Sequence, residues 1–262
     1  MAHKDLAFVL NVLHLGVIIS GMTNRHNVIS MIAAAGISSR FGGKIPKQYH
    51  TILGKPMLYH SVKVLRNHKK IEQVYILLSP KDPFFKSFDW SEFGEKVIPL
   101  YVGDATRAET VRNGLLKINC AKEDWVLVHD AARPCLSIEA LNNLLQNLDR
   151  ATSGVVLAKK VTDTIKKVEP RNGEITQTLD RSMLWHALTP QVFRYGLLSD
   201  ILSKGQISFI TDESSAVENA GLKPLVIECN TANPKVTKTE DLALAEFILR
   251  KREDYNENRT RI

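Results

Sequence analysis

Cysteine is scarce in this chain, and its three cysteines, Cys120, Cys135 and Cys229, include no C-x-x-C pair. Neither a disulfide framework nor a zinc cluster is indicated, and reduced thiols in a cytoplasmic protein are expected. The eight histidines contain no H-E-x-x-H and no other metal-ligand spacing, which argues against a transition metal held by side chains. No apolar run is long enough to span a bilayer. The nearest approach, Leu6 to Ser20, is interrupted by Asn11 and His14 and is followed by no A-x-A-like cleavage site. Residues 1–26 are therefore expected to be a dispensable N-terminal extension, with Met22 as a candidate start.

Runs of one charge sign are missing as well. The 35 Lys and Arg exceed the 28 Asp and Glu to give a net charge of +7, but they are scattered among the carboxylates. That distribution favours small anionic partners over a nucleic acid or a membrane surface. There is no internal repeat and no low-complexity linker, and 262 residues with 44% hydrophobic content suit one large α/β domain, here residues 27–250.

Short apolar runs alternate with helix-like segments after residue 26, the pattern of a mostly parallel sheet with helices on both faces. Strands are expected at Val28 to Ala33, Val74 to Ser79, Val97 to Val102, Trp125 to His129, Val155 to Ala158 and Leu225 to Glu228. Helices are expected at Met57 to Arg66, Arg107 to Lys117, Ile138 to Asp149, Tyr195 to Leu202, Glu213 to Ala220 and Thr239 to Arg250. Val161 to Leu179 is polar and β-branched around Pro170, Asn172 and Gly173, which predicts a projecting hairpin, a β-arm over about 160–183. So little apolar surface makes such an arm marginal alone, so packing against a second copy of the chain is expected. The charged tail at 251–262 is expected to fray.

Two segments carry the chemistry. Ala33 to Gln48 follows the first expected strand, at the edge where open α/β sheets bind ligands. Ala34, Ala35 and Gly36 allow close approach to the backbone, while Arg40, Lys44 and Lys47 supply positive charge, a combination that suits a polyphosphate. The loop is not a P-loop, because no glycine stands five residues before Gly43 and Ile45 replaces the magnesium-binding Ser or Thr. G-x-G-x-x-G is absent too. The second segment, Trp125 to Pro134, is an apolar run ending in His129-Asp130-Ala131-Ala132-Arg133-Pro134. Asp130 at that strand end can serve a metal or accept sugar hydroxyls, and Arg133 can clamp an anion; a plain Asp130–Arg133 ion pair or a helix cap is the alternative. His129 and His186, each beside an apolar run, are expected to be buried and structural rather than catalytic.

From Val28 to about Arg250 the chain resembles the 2-C-methyl-D-erythritol 4-phosphate cytidylyltransferase family. The resemblance rests on Ala34-Ala35-Gly36 with Arg40, Pro46-Lys47-Gln48-Tyr49, Gly103 with Arg107 and Thr110-Val111, and His129 through Pro134. It continues through Asp163-Thr164, Leu184 through Gln191, Thr211-Asp212-Glu213 and Lys235-Val236-Thr237 with Glu240-Asp241. It implies a single Rossmann-like nucleotidyltransferase domain with a projecting arm, and CTP and a methylerythritol phosphate as substrates. Arg40 and Lys47 would stabilise charge on the α-phosphate, and Arg181 and Lys235 would hold the acceptor phosphate in line. CTP would meet Ala34, Ala35, Gly36, Gly103, Asp104, Ala105, Thr110 and Asp130. The acceptor would meet Asp130, Arg133, Thr164, Arg181, Thr189, Asp212 and Lys235. Mg²⁺ would be held mainly by the CTP phosphates, with Asp130 and Asp212 as candidate protein ligands, and the arm would embrace a partner subunit in a homodimer. Thr110 stands where the family commonly has Ser, and Asp104-Ala105 replaces a commoner glycine-rich turn. A ribitol 5-phosphate cytidylyltransferase and, further off, a basic nucleic-acid-binding protein on the same fold remain as alternatives.

Overall fold

The computed structural model describes residues 26–36, 41, 45–204 and 207–260, so the N-terminal stretch and most of Ile37 to Lys44, including Arg40, lie outside the described residues. In chain order the strands are β1 (Val28–Ala33), β2 (Thr51–Ile52), β3 (Lys55–Pro56), β4 (Ile71–Leu78), β5 (Val97–Tyr101) and β6 (Trp125–Asp130). They continue as β7 (Val155–Lys160), β8 (Ile165–Val168), β9 (Ile175–Leu179), β10 (Trp185–Arg194) and β11 (Leu225–Glu228). The helices are α1 (Met57–Arg66), α2 (Arg107–Leu115), α3 (Ile138–Gln146), α4 (Tyr195–Lys204), α5 (Glu213–Asn219) and α6 (Glu240–Thr260).

Seven strands form one sheet in the order β11-β7-β10-β6-β1-β4-β5. Only β10 runs antiparallel to its neighbours β6 and β7; the pairings of β1 with β4 and β6, of β4 with β5 and of β11 with β7 are parallel. The central strands β1 and β6 are apolar on both faces because helices cover both. On one face Leu58, Val62 and Leu65 of α1 and Leu141 and Leu144 of α3 pack on the sheet. On the other, Val111 and Leu115 of α2, Leu198 and Leu202 of α4 and Val217 of α5 do so. Each fully buried aliphatic side chain of this kind contributes about 1.5–3 kcal/mol by leaving water.

Helix starts follow local chemistry. Thr106 and Glu109 form a reciprocal capping box at α2, and Ser137 accepts from the Ala140 N–H at α3. At α5 the cap is Asp212, whose carboxylate accepts from the Ser215 N–H. A third apolar cluster, with Met57, Cys135, Val236 and Ala245, packs α6 beside the ends of β1 and β6. The Val236 N–H donates to the Ala132 carbonyl at 2.8 Å, which fixes the loop bearing Lys235 beside Asp130.

Three expectations change. The antiparallel strand β10 was not anticipated, because His186, Thr189 and Pro190 interrupt its apolar pattern and proline cannot donate to a ladder. The tail from Lys251, expected to fray, continues α6 to Thr260. His186 is exposed rather than buried, since the first residues of β10 pair with the end of β7 beyond the core. The hairpin is present as β8 and β9, a two-stranded sheet separate from the main one.

Candidate active site

The chain runs from β1 outward to β4 and β5 and then returns to β6 on the opposite side of β1, so a crevice opens beyond the carboxyl ends of β1 and β6. Ala33 and Asp130 are paired at that edge. Two adjoining compartments meet there, and Arg107, Asp130 and Lys235 line both.

The first compartment has Ala34, Ala35 and Gly36 on one wall, Asp104, Ala105 and Thr110 on another, and Lys47 at its side. The two walls approach closely because of Gly103: a Cβ there would lie 2.3 Å from the Ala35 Cβ and 2.9 Å from the Leu78 carbonyl oxygen. The Asp104 N–H donates to Thr110 Oγ1, and that hydroxyl donates in turn to the Thr106 carbonyl, so Thr110 organises the loop with its single proton. Asp104 keeps its carboxyl below the usual range by accepting from the Ala105 N–H and from Asn113. Lys47 opens a 3₁₀ turn, Lys47–Tyr49, and its Nζ donates to the Val236 carbonyl at 3.1 Å, tying this compartment to the Lys235 loop.

The second compartment is lined by Arg133, Thr189, Gln191 and Asp212. An irregularity in the β10–β7 register between Ala187 and Gln191 lets Thr189 turn toward β6, where its Oγ1 accepts from the Asp130 N–H at 3.0 Å. Arg133 donates to the Asn233 carbonyl at 2.9 Å. Both oxygens of Asp212 take local bonds: Ser215 N–H and Ser214 Oγ on Oδ1, and Gln191 Nε2 and Ser214 Oγ on Oδ2. Thr164 and Arg181 line neither compartment; they stand at the base of the arm, where Arg181 Nη1 donates to the Thr162 carbonyl.

Asp130 is the electrostatic centre. Arg107 Nε lies 2.8 Å from one carboxylate oxygen, while Lys235 Nζ at 2.9 Å and Arg133 Nε at 3.6 Å face the other. Burial by itself would raise the Asp130 pKa, but the charges of Arg107, Lys235 and Arg133 outweigh it and hold the carboxyl well below its usual range. The anticipated Asp130–Arg133 pair is therefore real, as one part of a four-member cluster. Arg107 extends the cluster by donating through Nη1 to the buried Glu213 at 2.6 Å. Burial opposes the guanidinium charge, and Glu213 and Asp130 together overcome that opposition. Neither Arg107 nor Glu213 was singled out as a contact from the sequence. The two are 106 residues apart; each stands in a motif of the resemblance and opens a helix behind a capping residue, but neither signal pairs them.

His129 is fully buried behind this cluster. Its Nε2 faces the Arg133 carbonyl at 3.2 Å, which can only accept, so Nε2 bears the proton and Nδ1 accepts from Thr189 Oγ1 at 3.1 Å. Burial pushes its pKa down to about 4, against the raising effect of Asp130. The unfolded state, with a histidine pKa of about 6.5, binds the proton first, so this group's stabilisation is complete above pH 6.5 and declines as pH falls toward 4. We expect His129 to account for a loss on the order of 3 kcal/mol across that window. Denaturant titrations at pH 7 and pH 4.5 check it: His129→Asn should show a flatter acid limb than the unaltered chain, and an unchanged limb would contradict the assignment.

The open, mostly parallel α/β sheet, with two compartments meeting at a strand-end carboxylate, is the architecture of a Rossmann-like nucleotidyltransferase domain, shared with solved structures of that class. The family profile described as IspD, 2-C-methyl-D-erythritol 4-phosphate cytidylyltransferase, matches residues 28–251. A protein of that description from Dechloromonas aromatica is 46% identical over 230 residues, covering 87% of this chain and 99% of its own. One from Nitrosospira multiformis is 44% identical, covering 86% and 98%. The crystal structure of the Francisella tularensis protein of the same description superposes with a TM-score of 0.73 at 31% identity, covering 85% of this chain and 99% of that one. The chain belongs to the 2-C-methyl-D-erythritol 4-phosphate cytidylyltransferase family.

Proposed function

We propose that the chain transfers the cytidylyl group of CTP to 2-C-methyl-D-erythritol 4-phosphate, releasing diphosphate and forming 4-CDP-2-C-methyl-D-erythritol in the cytoplasmic, non-mevalonate route to isoprenoid precursors. The observation that supports it most is the shared wall of Arg107, Asp130 and Lys235 between two compartments. A reaction that joins two phosphorylated molecules needs such adjoining anion sites, and their charge is positive on both sides of Asp130.

An acceptor phosphate oxygen attacks the α-phosphorus of CTP, a new P–O bond forms there, and the bond to the β-phosphate oxygen breaks as diphosphate leaves. Phosphate is largely ionised at neutral pH, so neither a protein nucleophile nor a strong general base is required. The task left to the protein is alignment and charge stabilisation. Lys47, fixed by the 3₁₀ turn, and Arg40 of the same loop are assigned to the α-phosphate, and Lys235 to the acceptor phosphate. Mg²⁺ carried by the triphosphate would supply further charge neutralisation. Asp130 and Asp212 both stand at the second compartment, where their carboxylates face the phosphate sites. Asp130 and Asp212 are the candidate protein ligands, each of which would give up one of its present partners to reach the ion.

The same reading makes the enzyme a homodimer. The β8–β9 arm exposes Val168 and Ile175, followed by Met183, on an element too small to be stable unsupported. Embraced by a second copy, it would bring Thr164 and Arg181 of one subunit to the acceptor compartment of the other. No helix among the described residues is long and apolar enough to cross a membrane.

The test is diphosphate release by the purified protein with CTP and Mg²⁺, offered 2-C-methyl-D-erythritol 4-phosphate and ribitol 5-phosphate in parallel. Faster release with the methylerythritol phosphate is expected. Faster release with ribitol 5-phosphate would replace the assignment, and salt-sensitive duplex binding without any turnover would replace the enzyme class.

A further inference from the structure

The 3₁₀ turn Lys47–Tyr49 advances about 120° per residue, so its three side chains leave in three directions. Lys47 reaches the Val236 carbonyl, and Tyr49 runs into the core to donate to Asp82 at 2.7 Å. Gln48, only 4% exposed, turns to the first compartment's loop, where its Nε2 donates to the Ala34 carbonyl at 2.8 Å and to the Gly36 carbonyl at 3.2 Å. A side-chain amide has two N–H donors, and this one faces two carbonyls of the segment that lines the cleft.

A carbonyl oxygen turned toward an incoming polyphosphate would repel it. In a planar trans peptide the C=O of one residue and the N–H of the next point in opposite directions. Drawing the Ala34 carbonyl to Gln48 therefore directs the Ala35 N–H away from Gln48. We propose that Gln48 is a positioning residue for the nucleotide: it turns the Ala34 and Gly36 carbonyls out of the anion's path and presents loop N–H groups to the phosphates. This rests on the nucleotide reading above and adds a residue that itself need not touch the substrate. The turn thus couples the Lys47 ammonium and the loop backbone through adjacent residues, so one short element sets both the mobile charge and the fixed dipoles of the compartment.

Gln48→Met keeps the length and volume without the donors, and Gln48→Glu keeps the shape while placing an acceptor against two acceptors. The KM for CTP is expected to rise about tenfold in the first and further in the second, while the KM for the polyol phosphate stays within about twofold. A purely structural Gln48 would lower thermal stability without separating the two KM values. In the unaltered chain, adding CTP and Mg²⁺ should shift the Ala35 amide resonance and slow its hydrogen exchange, a measurement that needs no variant to fold. Unsplit KM values in active variants, or an Ala35 amide indifferent to CTP, overturn the inference and leave the functional reading standing. An unaltered chain that cannot use CTP overturns both.

Discussion

Lys47→Ala is expected to lower the turnover number by about a hundred- to a thousandfold, the usual effect of removing one preorganised stabiliser of transition-state charge. The residue is half-buried at the side of the first compartment, and its Nζ donates to the Val236 carbonyl. The turn that holds it is closed by main-chain bonds from the Tyr49 N–H to Pro46 and from the His50 N–H to Lys47, which the substitution leaves in place. Folding should therefore change little, with stability within about 1 kcal/mol of the unaltered chain. Lys47→Arg should recover part of the rate, because the charge returns while the point ammonium becomes a wide planar fork. Steady-state kinetics beside a denaturant titration check this. Turnover near that of the unaltered chain in Lys47→Ala would remove the residue from the mechanism.

The second large effect belongs to Asp130. Asp130→Asn retains the shape and the main-chain bond to Thr189, but it leaves Arg107, Arg133 and Lys235 facing one another around a neutral amide. Breaking a buried charge cluster from one side costs about 3–5 kcal/mol, because Arg133 and Lys235 lose their counterion and Arg107 keeps only Glu213. For a domain of this size that corresponds to a fall in Tm of roughly 6–20 °C. Activity should fall as well, since Asp130 is common to both compartments. The pH dependence has a definite sign. The folded carboxyl titrates below its unfolded value of about 3.9, so its contribution is complete above that pH and is lost only as pH falls further. The Asp130 window thus lies below that of His129, and the two can be separated by titrating from pH 7 downward. A Tm for Asp130→Asn within about 2 °C of the unaltered chain would show that the cluster is not a stabilising centre.

Much of this was legible in the sequence where periodicity was strong. β1, β11 and α1 begin and end as expected, because their apolar spacing meets clear punctuation at each end. The arm was legible from Pro170, Asn172 and Gly173, which end two polar, β-branched stretches. β10 was hidden because its ladder is irregular around residues that line the site, Leu188 and Thr189; a rule for regular strands fails where function bends one. Asp130 stood out as an acid at the end of a buried run. The resemblance placed Arg133 and Lys235 with it in one site, but a strand-end carboxylate gives no hint that Arg107 from α2 will pair with it as well. Glu213 was still less visible, since a glutamate opening a helix is ordinary and becomes notable only when it is buried against an arginine from another helix. Asp212 shows the converse. Its helix-capping bonds from Ser214 and Ser215 follow from local sequence chemistry, while the bond from Gln191 of β10 does not.

The central claim is that an acceptor phosphate attacks the α-phosphorus of CTP directly, across the wall formed by Arg107, Asp130 and Lys235. It is tested most directly by following oxygen. With ¹⁸O in the phosphate group of 2-C-methyl-D-erythritol 4-phosphate, phosphorus NMR and mass spectrometry of the products should find the label in the CDP-alcohol, with one ¹⁸O bridging the two phosphorus atoms and none in the diphosphate. Label in the diphosphate, a cytidylylated protein, or no CDP-alcohol at all would contradict it.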